Sequence, residues 1–388
     1  MQIEFYYNGI AFIVLACFAM MLLIQLVYLW AVYARVAFYR RKETPKHSEA
    51  LEPISVVVCS RDNYQSLSEL LPALLRQDYP DFEIVVVNDC SQDETELYLK
   101  EMELRDPRIK PVHLRQHLNF FSGKKFPLSM GIKSAQHDLL VFTEPGSLPV
   151  DDHWLRSIAD GYHDHTEVLI GYSPYRPQNN LLNHLVRFDA LYGGIQYLSA
   201  ALSGHPFMGL GSHLSYRKGL FYRNKGFTSH YSIPVGDDDL FVNQVAKRNN
   251  TSVFIDAEHT VVTVPPASFG LWMRNKARRY YSATLYKARD RRRMTLQAGA
   301  AFLLYACFIA LLLLSPAFTI VGAEVLYLPI IAVLFLLYYA SQMVVFGGAA
   351  KRLGEKGLLP GLVFYDLFQA LMTPLFRLLG RFRLGVKR

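Results

Sequence analysis

The chain reads as an α/β domain built on a mostly parallel sheet and flanked by transmembrane α-helices. Three observations predict this. Between residues 54 and 143 the apolar runs ISVVVC, EIVVV and DLLVFT alternate with stretches of helical period, and strands alternating with helices lie parallel in one sheet. Long uncharged apolar runs stand near both ends of the chain, and about 20 such residues cross a bilayer core. Hydrophobic residues make up 51% of the 388, which is high for a chain with no membrane share.

Residues 10–34, IAFIVLACFAMMLLIQLVYLWAVYA, carry no charge, so 1–34 is expected to be an N-terminal transmembrane helix. A cleavable signal peptide needs a basic stretch before the run and a small-residue site after it. This chain has neither, and Arg35, Arg40, Arg41 and Lys42 follow the run. Residues 35–52 read as a basic linker and 53–290 as the sheet domain.

Within that domain the first strand, Ile54 to Cys59, is followed by SLSELLPALLRQ, where Ser66 and Glu69 have capping-box spacing. The second, Glu83 to Val87, precedes Ser91 and Glu94, a second capping box expected to open the helix ETELYLKEMEL. The helical stretch KKFPLSMGIKSA then leads to a strand at Asp138 to Thr143. Residues 297–318 and 326–347 form two further spans joined by a link whose one charge is Glu324. Residues 358–380 are apolar but contain Pro360, Asp366, Pro374 and Arg377 before RFRLGVKR, the pattern of an amphipathic helix lying in the interface.

The formal charge of +8 suits nucleic acid, anionic lipid or phosphorylated ligands, and its distribution decides among them. Basic residues gather at Arg35 to Lys46, Lys287 to Arg293, and Lys351, Arg352 and Lys356, always on the same side of the apolar runs. This points to membrane lipids and phosphate and away from nucleic acid. By the positive-inside rule the N-terminus is outside and the sheet domain cytoplasmic, in a multi-pass protein of the cytoplasmic (inner) membrane. The four cysteines, Cys17, Cys59, Cys90 and Cys307, are far apart with no paired spacing, and read as reduced packing residues.

Ligands of parallel sheets gather at the strand carboxyl ends. Those ends carry Ser60-Arg-Asp-Asn63, Asn88-Asp89 and Glu144-Pro-Gly-Ser147. The first turn, CSRDN, lacks the glycines a dinucleotide pyrophosphate requires. Lys124, in Gly123-Lys124-Lys125, sits at a helix start, where a cation opposes the macrodipole. A bound diphosphate would account for it, and so would a solvated loop. GDDDLFVN (236–243) holds three successive carboxylates that cannot all be buried unpaired, so it reads as a solvated turn, a cation site or a base at a helix start.

The ordered motifs PISVVVCSRDN, LLRQDYPDFEIVVVNDCSQDET, SGKKFPLSMGIKSAQHDLLVFT and GDDDLFVNQV resemble those of membrane-bound family 2 glycosyltransferases, relatives of cellulose and hyaluronan synthases, over about residues 52–290. The resemblance implies a GT-A nucleotide-diphospho-sugar transferase domain. It would be an inverting hexosyltransferase-like enzyme that moves a sugar from a nucleotide-diphosphate donor to a lipid-linked or polysaccharide acceptor, in cell-envelope polysaccharide biosynthesis. It makes Asp238 the catalytic base with Asp237 beside it, and assigns donor binding to Asp89, Asp62 and Lys124. MRNKARRYYSA after Trp272 is similar to a diphosphate-binding segment, giving Lys276, Arg278 and Arg279, although the family's Gln and Trp are missing. GHPFMGLGSHLSYRK (204–218) would floor the acceptor site, with His205 and Gly209.

The family's paired acids for Mg2+ or Mn2+ reduce here to Glu144 in FTEPGSLP, a single carboxylate where hard cations favour more oxygen ligands. Three readings follow: a metal held by Glu144 with another acid, a metal-free transferase relying on Lys124, Arg278 and Arg279, or a catalytically inactive binding subunit of an envelope-assembly complex. Three spans leave little material for a polymer pore, so single-sugar transfer or a homo-oligomeric channel is expected.

Overall fold

The computed structural model describes residues 2–40, 51–115, 123–320 and 327–381. Arg41, Lys42, Lys46, Glu324 and residues 382–388 lie outside them. Helix α1 (Gln2–Val27) passes through a π-helical turn (Tyr28–Tyr33) into α2 (Ala34–Ala37). The sheet domain then runs β1 (Ile54–Ser60), α3 (Tyr64–Leu75), β2 (Phe82–Asp89), α4 (Thr95–Arg105), β3 (Ile109–Leu114), α5 (Lys125–Ser134), β4 (Leu139–Thr143), β5 (Ser147–Pro149) and α6 (Trp154–Ala159). It continues with β6 (Val168–Gly171), α7 (Leu181–Leu202), β7 (Leu214–Arg217), α8 (Lys218–Arg223), α9 (Asp239–Val245), β8 (Thr251–Phe254), β9 (Val261–Thr263) and α10 (Phe269–Ala283). Helices α11 (Ala288–Ile320), α12 (Tyr327–Arg352) and α13 (Leu362–Arg381) complete the chain.

Seven strands form one sheet in the order β3-β2-β1-β4-β7-β6-β8, and β5 pairs with β9 in a small second sheet. Strands β1 to β4 are mutually parallel, whereas β7 is antiparallel to both β4 and β6. The carboxyl ends of β1, β2 and β4 therefore open on one edge. Alternate residues feed two cores, as the pleat requires. Val56, Val58, Ile84 and Val86 face Leu67, Leu70 and Trp154 on one side. Val57, Val85 and Phe142 face Ile132 and Ile195 on the other.

The second core does not stop at the domain. It continues into Leu29, Tyr33 and Val36, and into Val345, Phe346 and Ala349 of α12, so the sheet domain and the ends of the apolar helices share one packed interior. A separate cluster built from Phe18, Leu22, Leu304, Leu311 and Phe335 joins α1, α11 and α12.

The two expected capping boxes do not form. Helix α3 starts at Tyr64, three residues early, which puts Ser66 inside its first turn. Asp93 caps both helices instead, accepting the Tyr64 N–H at 2.9 Å and the Thr95 N–H at 3.1 Å. Ser91 is turned to the neighbouring loop, where its hydroxyl accepts the Asp62 N–H.

Four helical stretches are long and apolar enough to cross a membrane, Gly9–Ala37, Ala288–Leu314, Pro329–Arg352 and Leu359–Arg381. The last differs in how its ends are held. Just before it, Glu355 pairs with Arg187 at 2.7 Å and accepts the Tyr172 hydroxyl at 2.9 Å, both on the sheet domain. At its other end Gly380 packs against the backbone of Tyr280 in α10. Both ends of α13 thus rest on the sheet domain.

The Arg187–Glu355 side chains are 4% and 1% exposed, so removing one partner strands a buried charge. Glu355→Ala is expected to destabilise the protein by about 3–5 kcal/mol, read as a lowered midpoint in thermal unfolding of the detergent-purified chain. An unchanged midpoint would show that this pair does not fasten α12 to the sheet domain.

Candidate active site

The site forms where the carboxyl ends of β1, β2 and β4 meet the start of α9. The Cys59 thiol at the end of β1 is pushed up to about 12 by burial, and the charges acting on it are Lys124, Asp237, Asp89 and Glu144. A small hollow lined by Cys59, Lys124, Glu144, Asp237 and Asp238 lies there. Beside it is a cavity of about 170 Å3, and Glu144, Gly211 and Asp238 line both.

Lys124 Nζ lies 2.8 Å from Glu144 Oε1. The Glu144 carboxylate holds the ammonium above its ordinary range. In return Lys124, with Arg279 and Arg278 adding to it, holds the Glu144 carboxyl below its own. Both side chains remain nearly half exposed, so the pair stands open to the cleft and its energy is screened.

The three aspartates point to three different partners. Burial raises Asp237, which lies within the influence of Lys124 and Glu144. Asp238 caps α9, accepting the Asp239 N–H at 2.7 Å, while its other oxygen accepts the Gly211 N–H at 2.9 Å. Burial, then the neighbouring Asp237, pushes Asp238 up to about 6. Asp239 turns inward, accepting hydroxyls from Ser282 and, at 2.6 Å, from Tyr286. Only the middle carboxylate of the three lines the larger cavity.

The approach to α9 is clamped. Lys125, 1% exposed, donates to the carbonyls of His230, Ile233 and Val235 at 2.7–2.8 Å. Burial draws its ammonium down to about 8. Gly123, with φ +92°, lets the chain pass so close to Pro234 that a Cβ there would sit 2.3 Å from its carbonyl oxygen. The Gly-Lys-Lys segment therefore has two roles: Lys124 faces the cleft and Lys125 fixes the loop that delivers the acids.

Helix α10 presents Trp272, Asn275, Lys276, Arg279 and Tyr280 to the cavity, one face at helical spacing. Lys276 is committed within the wall, its ammonium 2.6 Å from Asp189 and above the Tyr280 and Phe376 rings. Asp189 also accepts from Trp272 and Gln369, binding α7, α10 and α13 together. Arg278 and Arg279 are exposed, and both act on Glu144 across the cleft.

The structure thus gathers Lys124, Glu144, Asp237, Asp238 and Arg279 around the two adjoining spaces, while Asp89 and Arg278 line neither and act through their charge, on Cys59 and Glu144 respectively. Asp62 stands at the rim, where its carboxylate accepts the Gln92 N–H at 2.7 Å and stitches two loops. His205 and Gly209 are not brought to the cavity. His205 lies against Arg289 of α11, 2.8 Å from its guanidinium, and Gly209 is packed under Leu214 and Val242. The same segment lines the cavity instead through Phe207, Met208, Leu210, Gly211 and Ser212. Asp189 and Gln369 were missed by the sequence reading. No local signal marks them, since α7 also carries Asn183, His184 and Arg187, and α13 also carries Asp366 and Arg377.

Acids and cations thus gather at the carboxyl ends of a mostly parallel sheet, where such sheets bind their ligands. Residues 55–223 match the family model of Glycosyl transferase family 2. It is 35% identical over 83 residues to an uncharacterized glycosyltransferase of Haemophilus influenzae, covering 19% of this chain and 26% of that protein. It is 29% identical over 101 residues to the putative teichuronic acid biosynthesis glycosyltransferase TuaG of Bacillus subtilis, covering 26% and 36%. The matched stretch spans about a quarter of the length of the first relative and about a third of the second. Among solved structures, the mannosyltransferase PcManGT of Pyrobaculum calidifontis, in complex with GDP-Man and Mn2+, superposes with a TM-score of 0.55 at 16% identity, covering 89% of this chain and 98% of that one. At that identity the likeness bears on the fold.

Proposed function

We propose that the protein is an inverting glycosyltransferase of the cytoplasmic membrane, moving a sugar from a nucleotide-diphosphate donor to a lipid-linked or polysaccharide acceptor. The observation that carries this reading is the placement of Asp238. Its carboxylate lines both the small hollow, with Lys124 and Glu144, and the adjoining cavity, with Glu144 and Arg279, so a base stands between the counter-charges for a leaving diphosphate. The likeness to PcManGT, in complex with GDP-Man and Mn2+, and to the putative teichuronic acid biosynthesis glycosyltransferase TuaG supports the same donor and acceptor classes.

In this mechanism Asp238 takes the proton from the acceptor hydroxyl. The freed oxygen bonds to the anomeric carbon as the bond from that carbon to the diphosphate oxygen breaks. The nucleoside diphosphate leaves with the electron pair, and Lys124, Arg279 and Arg278 stabilise its charge. Asp89 and Asp62 flank the nucleoside side of the cleft, and Asp237 tunes Asp238.

A divalent ion fits these residues poorly. Among the described residues no group of three His, Cys, Asp or Glu side chains is placed to hold a metal ion, and Lys124 already neutralises Glu144. In our reading the ammonium supplies the positive charge at the diphosphate. The sheet domain faces the cytoplasm in this account, and α13, with both ends on that domain, lies along the interface while α1, α11 and α12 cross.

Two outcomes test the reading. Asp238→Asn is expected to lower turnover by about 10²–10⁴ while sparing nucleotide affinity. Because Asp238 is raised and must be ionised to act, the wild-type rate should climb with pH through a midpoint near 6. Asp237→Asn should move that midpoint down, since Asp237 is the charge that raises it; full activity in Asp238→Asn would remove the base assignment.

Binding of UDP and GDP should change less than about twofold between EDTA and Mn2+, and weaken at least about tenfold in Lys124→Met. Marked tightening by Mn2+ would instead restore a metal held by Glu144. Nucleotide binding with no diphosphate release from any donor would identify a binding subunit, the reading that the reduced acid pair at Glu144 favours.

A further inference from the structure

Between α10, the start of α11 and the end of α13 lies a second cavity, of about 710 Å3, lined by Arg291, Arg292, Arg377 and Arg381 together with Tyr280 and Met294. Among the described residues no carboxylate lines it. Arg377 and Arg381 are one turn apart on α13, and Arg291 and Arg292 are adjacent on α11, so four guanidinium groups gather with nothing of opposite sign among the lining side chains. Like charges held this way repel. Arg377 is fixed by bonds to Thr295 Oγ1, at 2.9 Å, and to the Met294 carbonyl. Its Nε–H is nevertheless buried without a partner, a donor whose desolvation is uncompensated.

We infer that this groove binds the phosphate or diphosphate group of a membrane-anchored acceptor, a proposal that rests on the transferase reading above. Guanidinium forks match phosphate oxygens. The groove lies where α11 leaves the sheet domain and the end of α13 rests on it, the level of lipid headgroups in that reading, and the apolar Met294 and Leu296 line it too. Tyr280, Ala283 and Met294 line both this groove and the cavity that holds Asp238. An acceptor held by its phosphate therefore presents its next group towards the base, which a plain phospholipid cannot use.

The test uses the full chain in detergent, with three probes: a polyisoprenyl diphosphate, phosphatidylglycerol and inorganic pyrophosphate, each titrated against the wild type and Arg292→Gln/Arg381→Gln. Both substituted residues are exposed, and Arg377→Gln alone serves as a second variant. The polyisoprenyl diphosphate is expected to bind at least about tenfold tighter than either other probe and to lose at least about tenfold in both variants, while UDP and GDP affinity is unchanged. Equal binding of phosphatidylglycerol or of pyrophosphate, or undiminished binding in the variants, overturns the proposal. Retained nucleotide binding with any of those results leaves the transferase reading standing, whereas wild-type protein that binds no nucleotide removes that reading by itself.

Discussion

Three adjacent carboxylates at the head of a partly buried helix repel one another, and the fold is arranged so that each meets a different partner. Asp237 looks to Lys124, Asp238 to the backbone N–H groups of Gly211 and Asp239, and Asp239 to the hydroxyls of Ser282 and Tyr286. These partners come from the residue before α5, the segment before β7, the start of α9, and the end of α10 and the turn beyond it. Holding the acids apart therefore fixes how those segments sit around the cleft. Asp238 is left with its proton affinity raised and its carboxylate towards open space.

The same logic explains the lysine pair. Two neighbouring ammonium groups at a helix start would oppose the helix dipole if both faced water there. Lys125 is instead buried and bonded to three carbonyls, and Lys124 is matched by Glu144. The clamp formed by Lys125 and Gly123 sets the path of residues 230–236, so the donor side of the cleft and the acid run are coupled through one short segment.

Much of the fold was legible because the β-branched runs at 54–59, 83–87 and 138–143 and the uncharged spans carry strong local signals, and the observed strands differ from them by a residue or two. Helix starts were less legible. Ser66 and Ser91 have the spacing of capping residues, yet Asp93 reaches both helices through tertiary contact, which no local pattern encodes. In the site, several residues adjacent to strand ends or in charged runs lie around the cleft. His205 and Gly209 were displaced because only part of the 204–218 segment turns inward, and a sequence does not say which part. Asp189 shows the reverse case: a carboxylate that looks like an isolated surface charge is the joint between α7, α10 and α13. That joint places the cleft against the membrane-proximal helices, so the sheet domain and its apolar flank are one unit.

The most direct measurement is a structure of the full chain with UDP or GDP bound. The account predicts the diphosphate within about 4 Å of Lys124 and Arg279, the nucleoside beside Asp89, and Asp238 facing the cavity beyond the terminal phosphate. A nucleotide bound away from this cleft, or one that leaves the Lys124–Glu144 pair and Asp238 on opposite sides of a closed wall, would contradict it.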